Sequence, residues 1–437
     1  MPLSPPRPPR PLFLFRHWPN PKAVASWCFY DFANSVYAAV IPATIWAAYY
    51  ANEIVGGARG EGALWWGRVV SLTMFFVAVT SPFGGAIADL AGWRKRLLIV
   101  YTVVAVAGTA LLATVAPGMV VYGFILSVIA GIGFEGAIVY YNAYLPELTP
   151  PDRQGRLSGL GFAIGYAGSF VGLFAALPLV SAGYFGAAFI VVAILFMAFS
   201  LPAFLWLPPD RATTHSIGTA ARAGWQGTWR TARDIVHIKP LRRFLLAFLL
   251  YDDGVNTVIF FSAIFARQVL GFAMTDLIWV YMCVQISALV GAALWARPTD
   301  TKGPRFVVLT MLAQWIVVVT LVYFVTSKTT FFIVAALAGT GLGAIQAASR
   351  AFMATLIPAG REGEFFGFYS LCGKSAAVLG PLVFGEVAIM TGGNLRLAAL
   401  SILIFFVVGA SILLTVRAGG PTTGREAQAS PVGPASD

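Results

Sequence analysis

The sequence predicts an all-α polytopic membrane protein, with twelve transmembrane helices in two pseudo-symmetric six-helix bundles. Three observations carry that prediction. Only 11% of the 437 residues are charged while 58% are hydrophobic, against about 25% charged in an ordinary soluble domain. So few charges cannot cover the surfaces of soluble domains, and a disordered chain would be poor in apolar residues. The apolar residues also come in long unbroken runs rather than the short alternating runs of an outer-membrane barrel, so the spans are helices. Finally, the second half repeats the first, as set out below.

A spanning helix needs about 20 apolar residues. On that rule spans 1–6 run near 24–51, 64–90, 97–116, 118–144, 157–181 and 184–207. Spans 7–12 run near 243–267, 274–296, 305–326, 329–354, 365–391 and 396–416. The corresponding organisation is a tail (1–23), a first bundle (24–207), a linker (208–241), a second bundle (242–417) and a final tail (418–437). The first tail is rich in proline and arginine and lacks the apolar core of a signal peptide. The last is rich in Gly, Pro, Ser and Thr and is expected to be disordered. Cys28, Cys283 and Cys372 fall within apolar runs with no metal spacing and read as packing residues.

With the N-terminus inside, 23 of the 29 Lys and Arg fall in the tails and the even-numbered loops, counting Arg350 at the cytoplasmic end of span 10. Arg59, Arg68, Arg267, Lys328 and Arg396 fall on the opposite side, and Lys374 falls within a span. The positive-inside rule therefore places both termini in the cytoplasm. The net charge of +11 is a topology signal here and no pointer to nucleic acid. Within the linker, segment 220–238 mixes Trp225, Trp229, Ile235 and Val236 with basic residues. It reads either as an interfacial helix along the headgroups or as a solvated connection.

A single offset of 208 aligns Arg153 with Arg361, Gly155 with Gly363, Gly159 with Gly367, Gly165 with Gly373 and Gly172 with Gly380. It also aligns Ala130, Gly131 and Gly133 with Ala338, Gly339 and Gly341. A parallel repeat of six plus six helices is a transporter architecture. The row Gly159, Gly165, Gly168 and Gly172 would form a smooth face, serving either a sliding contact or tight static packing.

Between spans 2 and 3 stand Gly85, Asp89, Gly92, Arg94, Lys95 and Arg96, and the second half carries a worn copy in Asp300, Gly303 and Arg305. This pattern resembles the loop signature of the major facilitator superfamily. The resemblance implies the major facilitator fold, and a cytoplasmic gate that latches while the carrier faces outward. Trp27 through Ser35 (including Tyr30, Asp31 and Asn34), Tyr251 through Thr257, and the stretch from Ser349 and Arg350 to Gly380 and Pro381 are similar to the autophagy-related vacuole-effluxer-like branch. That resemblance implies transport of a small solute. Fungal relatives are associated with amino-acid efflux, while this compact chain looks bacterial and belongs in an inner membrane.

Ionisable residues within spans are costly and tend to face a cavity or a partner. Asp31, Glu135, Asp252, Asp253 and Lys374 all fall at similar depth, roughly 12–15 Å from the cytoplasmic boundary at 1.5 Å per residue. Helical spacing adds Asn34 and Ser35 beside Asp31, Asn256 beside Asp252 and Asp253, Asn142 two turns from Glu135, and Gln346 four residues from Arg350. Four carboxylates share the layer with one lysine. A proton, a substrate cation or a metal must balance the rest. Glu135 and the Asp252/Asp253 pair lead as proton carriers. Lys374 reads as a ligand for a substrate carboxylate or a counter-ion to Asp31, and its repeat partner is Tyr166. Glu386, near the outer end of span 11, reads as reaching the headgroups. His17, His215 and His237 lie outside the spans.

The expected function is secondary transport of a small polar or zwitterionic solute, possibly an amino acid, by alternating access with proton coupling. A lipid, lysolipid or amphiphile carrier of the same fold is the alternative. No HExxH, metal-spaced His/Cys cluster or Walker loop points to an enzyme. No cofactor, metal or nucleic-acid partner is expected, and the working unit is expected to be a monomer.

Overall fold

The computed structural model describes residues 15, 18–57, 59–149, 151–210, 216–357 and 362–416. Within these, Asp89, Pro146, residues 151–156, 158–159 and 362–364 are described by their backbone alone. Most of the first predicted tail, residues 417–437, Arg361, and the side chains of Asp89 and Arg153 lie outside this description.

The described residues form helices and no strands. Eleven of the helices are long and apolar enough to cross a membrane. They are span 2 (Glu61–Leu90), span 3 (Arg94–Leu111), span 4 (Val120–Ala143), span 5 (Pro151–Ser181) and span 6 (Phe185–Trp206) in the first half. The second half supplies span 7 (Lys239–Leu270), span 8 (Met274–Lys302), span 9 (Pro304–Phe324), span 10 (Lys328–Leu356), span 11 and span 12. The twelfth element, span 1, is Pro21–Val40 followed by a break, the short helix Ile45–Tyr49 and a π-helical turn, Tyr50–Val55.

Helix ends follow local chemistry. Asn20 accepts the Ala23 N–H at 3.2 Å and Pro21 occupies the first turn of span 1. Ser327 caps span 10 through the Thr330 N–H at 3.2 Å. Gly271 ends span 7 at φ 64°, a left-handed conformation that only glycine adopts freely.

Two spans are broken near mid-depth. In span 1, Pro42 has no N–H to continue the ladder, and Thr44 Oγ1 donates to the Ala39 carbonyl at 2.5 Å. Span 11 divides into Glu362–Ser375 and Leu379–Met390. Non-helical backbone at membrane depth is tolerated only where protein or a cavity satisfies it.

Span 1 packs on spans 5 and 6, span 3 on span 4, span 8 on span 10, and span 7 on span 12. Buried aromatic residues hold both bundles together, Trp46, Tyr30, Phe189 and Phe196 in the first and Trp315, Tyr251, Phe244 and Phe352 in the second. Large apolar side chains such as Val100, Val121, Ile194, Leu205, Leu294 and Ile333 are exposed. In water they would be a liability; on the perimeter of a membrane protein they meet lipid tails.

The glycine row of span 5 packs inside its own bundle. A Cβ at Gly161 would lie 2.7 Å from the Trp27 ring, and one at Gly172 2.9 Å from Val36 Cγ1. At Gly168 it would collide with the Phe32 carbonyl. Of the row read from sequence, Gly165, Gly168 and Gly172 pack on span 1 of the same bundle, and Gly159 is described by its backbone alone. The close contact between bundles uses other glycines. Gly67 abuts the Pro381 carbonyl, Gly60 abuts Ala388, and Gly385 abuts Leu64.

Candidate functional site

The bundles meet across spans 2 and 11 and across spans 5 and 8. At the end opposite the basic loops, Trp66 Nε1 donates to the Phe260 carbonyl at 3.0 Å and Ser71 Oγ to the Val378 carbonyl at 2.8 Å. Arg267 pairs with Glu53 at 2.7 Å, and Arg68 approaches Glu386 at 3.9 Å. Glu386, expected at the headgroups, thus reaches span 2 of the other bundle.

A contact between charged side chains also crosses the interface. The Lys374 ammonium of span 11 donates to Glu135 Oε2 of span 4. Lys374 had two sequence readings, a substrate ligand or the partner of Asp31, and its partner here is Glu135. The choice has a geometric cause. Lys374 sits in the last turn of the first segment of span 11, where its charge favours the carbonyl end of that helix.

The break that follows Lys374 explains Asp253. Its carboxylate accepts the Gly380 N–H at 2.9 Å to each oxygen, at the N-terminal turn of the second segment of span 11. A carboxylate there satisfies an otherwise orphaned amide and complements the helix dipole. Asp253 is 1% exposed. It therefore braces the break from within its own bundle, and Asp252, its neighbour, faces differently. Asn256 Nδ2 donates to Asp252 Oδ2 at 3.2 Å, so the sequence grouping of both acids with Asn256 resolves into Asp252 alone. Lys374 lies near enough to influence Asp252 electrostatically.

Asp31 stands across the interface on span 1. A Cβ at Gly165 would lie 2.8 Å from Ser35 Oγ and 3.3 Å from Asp31 Oδ2. Cys28, Tyr141 and Tyr166 surround the carboxylate, and Tyr166 also neighbours Tyr281 of span 8. Among the described residues, no cation forms an ion pair with Asp31, Asp252 or Asp253. Asn34 Oδ1 is buried without a hydrogen-bond partner. Asn142, Gln346 and Arg350 are exposed toward the basic end, where the Arg350 guanidinium lies over the Phe162 ring of the other bundle at 5.7 Å.

Of two cavities, the smaller reaches Glu135 of this layer, and the larger has none of the layer's charged residues in its lining. A small one of about 40 Å³ is lined by Tyr37, Thr73, Ser127, Glu135 and Phe260 among others. A larger apolar one of about 140 Å³ lies within the second bundle, lined by Ile259, Ser262, Tyr281, Gln285 and Trp315, with Ala43 and Thr44 contributed by the break in span 1. Neither cavity is legible in the sequence, because each is enclosed by several helices distant along the chain.

The loop motif forms a local clasp. Gly92 takes φ 67°, turning the chain into span 3. Arg94 pairs with Glu147 at 2.6 Å and lies over the Tyr144 ring. Lys95 N–H donates to Asp210 Oδ1 at 2.6 Å and its ammonium to the Leu207 carbonyl at 2.8 Å. In the second bundle Arg305 donates to the Leu414 carbonyl at 2.8 Å, while Asp300 is exposed. Gly85 has open space before it. All of these side-chain contacts stay within one bundle. Glu147 and Asp210, which complete the clasp, were not singled out from sequence; their spacing from Arg94 carries no local signal.

Residues 68–420 match the family model described as "Vacuole effluxer Atg22 like". The chain belongs to this family. Among its relatives, the uncharacterised MFS-type transporter YxiO of Bacillus subtilis is 30% identical over 412 residues, covering 90% of this chain and 94% of that one. Autophagy-related protein 22 of Yarrowia lipolytica is 23% identical, covering 79% and 74%. The fold resembles the solved nucleoside transporter NupG (TM-score 0.67, 13% identity, 90% of this chain and 98% of that one). It also resembles an inward-facing bacterial homologue of the lysosomal transporter Spinster (TM-score 0.62, 13% identity, 90% and 95%). The protein is therefore an integral membrane transporter of the major facilitator superfamily, and the family and fold relatives are transporters, not enzymes. Among the described residues no cluster of His, Cys, Asp and Glu could hold a metal ion.

Proposed function

We propose that the protein is a secondary active carrier that moves a small polar or zwitterionic solute by alternating access, coupled to protons. The observation that carries this reading is the unequal charge of the mid-depth layer. Its lysine is committed to Glu135 across the bundle interface, while Asp31 of span 1 and Asp252 of span 7 have no paired cation among the described residues. An ionised carboxylate without a partner is expensive in low dielectric, so a proton or a substrate ammonium completes the layer. Opening the bundles separates Lys374 from Glu135, and a proton on Glu135 or a substrate carboxylate on Lys374 compensates that separation. Proton binding and solute binding thereby bias the same equilibrium. The positive-inside distribution supports cytoplasmic termini and a bacterial inner membrane. Each chain carries both halves of the site, which supports a monomeric working unit.

The test is uptake or efflux by the purified protein in proteoliposomes under an imposed pH gradient. Candidate solutes are chosen first by thermal stabilisation. Glu135→Gln, Asp252→Asn and Asp253→Asn are assayed in turn. The reading expects Glu135→Gln to abolish the dependence on the pH gradient and Asp252→Asn to weaken solute affinity. Unchanged pH-dependent transport in all three variants removes the proton-carrier assignment.

The apolar cavity of about 140 Å³ within the second bundle supports a second reading, an amphiphile carrier. Thermal stabilisation by lysolipids and not by amino acids would select it.

A further inference from the structure

The linker holds a feature that neither the family nor the transport reading uses. Ile217–His237 is a helix capped by Ser216, whose Oγ accepts the Thr219 N–H at 3.3 Å. It lies between the end of span 6 and the start of span 7, so the chain itself holds it at the basic end of the molecule. One face docks on the protein. Ala220, Thr231 and Ile235 are buried, and a Cβ at Gly224 would collide with Ala86 and lie 2.6 Å from the Pro82 carbonyl of span 2. Trp225 stacks on Phe83 with ring centroids 5.3 Å apart. The helix touches span 2 of the first bundle and spans 7 and 11 of the second.

The rest of its surface is unusual for a solvated connection. Trp225 is 49% and Trp229 61% exposed, and Val236 is also exposed. These three, with Ala221 and Ala232, follow helical spacing and form one apolar stripe. Arg222, Arg230 and Arg233 flank it, all exposed, and none forms an ion pair among the described residues. Indole rings prefer the headgroup level of a bilayer, and arginines beside them attract anionic headgroups. A helix facing only water would gain nothing from two exposed tryptophans. A helix facing a partner protein would not need to be tethered at both ends to membrane spans.

We propose that this helix is a binding surface for anionic phospholipid headgroups, with Arg222, Arg230 and Arg233 holding the phosphate and Trp225 and Trp229 seated at the acyl boundary. Because the helix rests on both bundles, a lipid bound to it bears on both halves through the helix. This choice resolves the two sequence readings of segment 220–238 in favour of the interface, and it stands whatever the solute proves to be.

The test uses the full detergent-solubilised chain, titrated with short-chain phosphatidylglycerol or phosphatidylcholine and followed by thermal stability. Phosphatidylglycerol should stabilise at lower concentration than phosphatidylcholine. The variant Arg222→Gln/Arg230→Gln/Arg233→Gln should need about fivefold more phosphatidylglycerol or beyond, from the attraction each arginine has for an anionic surface. Hydrogen exchange in nanodiscs provides the second readout. Amides of 217–237 should slow when phosphatidylglycerol is added to phosphatidylcholine, less so in the triple variant and in Trp225→Ser/Trp229→Ser. Equal responses in wild type and triple variant overturn the proposal. Slowing by inorganic phosphate in phosphatidylcholine discs to the same degree also overturns it, since the ligand would then be a free anion.

Discussion

The two halves of this carrier place the same helix pair at the same depth and use it differently. In the first half, span 1 lies against an unbroken span 5, and Asp31 rests beside Gly165 with Tyr166 where the repeat would put a lysine. In the second half, span 7 lies against a broken span 11, with Lys374 before the break and Gly380 after it. The equivalent contacts survive. Gly165 meets Asp31 and Ser35 as Gly373 faces Asp252, and Gly172 meets Val36 as Gly380 meets Thr257. The chemistry has diverged. Breaking span 11 exposes an amide end that Asp253 fills and a carbonyl end that Lys374 suits, so the second half adds a capping acid and a lysine beside Asp252 where the first half sets Tyr166 near Asp31.

The largest expected effect probes the link between the halves. Lys374→Met or Glu135→Gln alone leaves a mostly buried charge without its partner, at a cost of about 3 kcal/mol. The double variant should cost less than the sum of the two, and a thermal-denaturation double-mutant cycle measures the coupling. Additive effects would mean that the pair does not join the halves energetically.

Next comes the break itself. Gly380→Ala forces a methyl group onto Thr257 Oγ1 and Asp253 and should destabilise by about 1–3 kcal/mol. Gly172→Ala meets only the Val36 side chain and backbone edge and should cost less. Equal losses in the two variants would erase the distinction between the halves. Asp253→Ala leaves the Gly380 amide buried without an acceptor, and should cost about 1–3 kcal/mol in stability. Its transport, scaled to folded protein, should persist, whereas Asp31→Asn should spare stability and impair transport. The reverse pattern would exchange their roles.

The smallest effect concerns paired tyrosines. Tyr30 Oη and Tyr251 Oη each share a 2.7 Å hydrogen bond, with Thr102 and Ser349 respectively. Tyr30→Phe and Tyr251→Phe should each lose about 1 kcal/mol, read as a small fall in melting temperature. A much larger loss on one side would show that the halves also differ in their supporting hydrogen bonds.

Much of the fold was legible because membrane insertion writes itself into local sequence. Runs of about 20 apolar residues are needed wherever a helix crosses lipid, so span positions such as Phe185–Trp206 follow from composition alone. Span 1 was the hardest to delimit, since its Asp31, Asn34 and Ser35 dilute its hydropathy and Pro42 divides it. Counting residues along helices also set the depth expected for the charged residues. What counting could not supply was rotation: it put Asp252 and Asp253 on neighbouring positions but could not say that they face different helices.

Sequence by itself therefore determined the class and the repeat, because each depends on the order of residues along the chain. Only the tertiary structure decided that Lys374 belongs to Glu135, that Asp253 caps a broken helix, and that Arg94 and Lys95 clasp Glu147, Leu207 and Asp210. These contacts join groups from 53 to 239 positions apart in the chain. Charges attract whatever comes within a few ångströms, and which groups arrive there is fixed by helix packing rather than by sequence spacing.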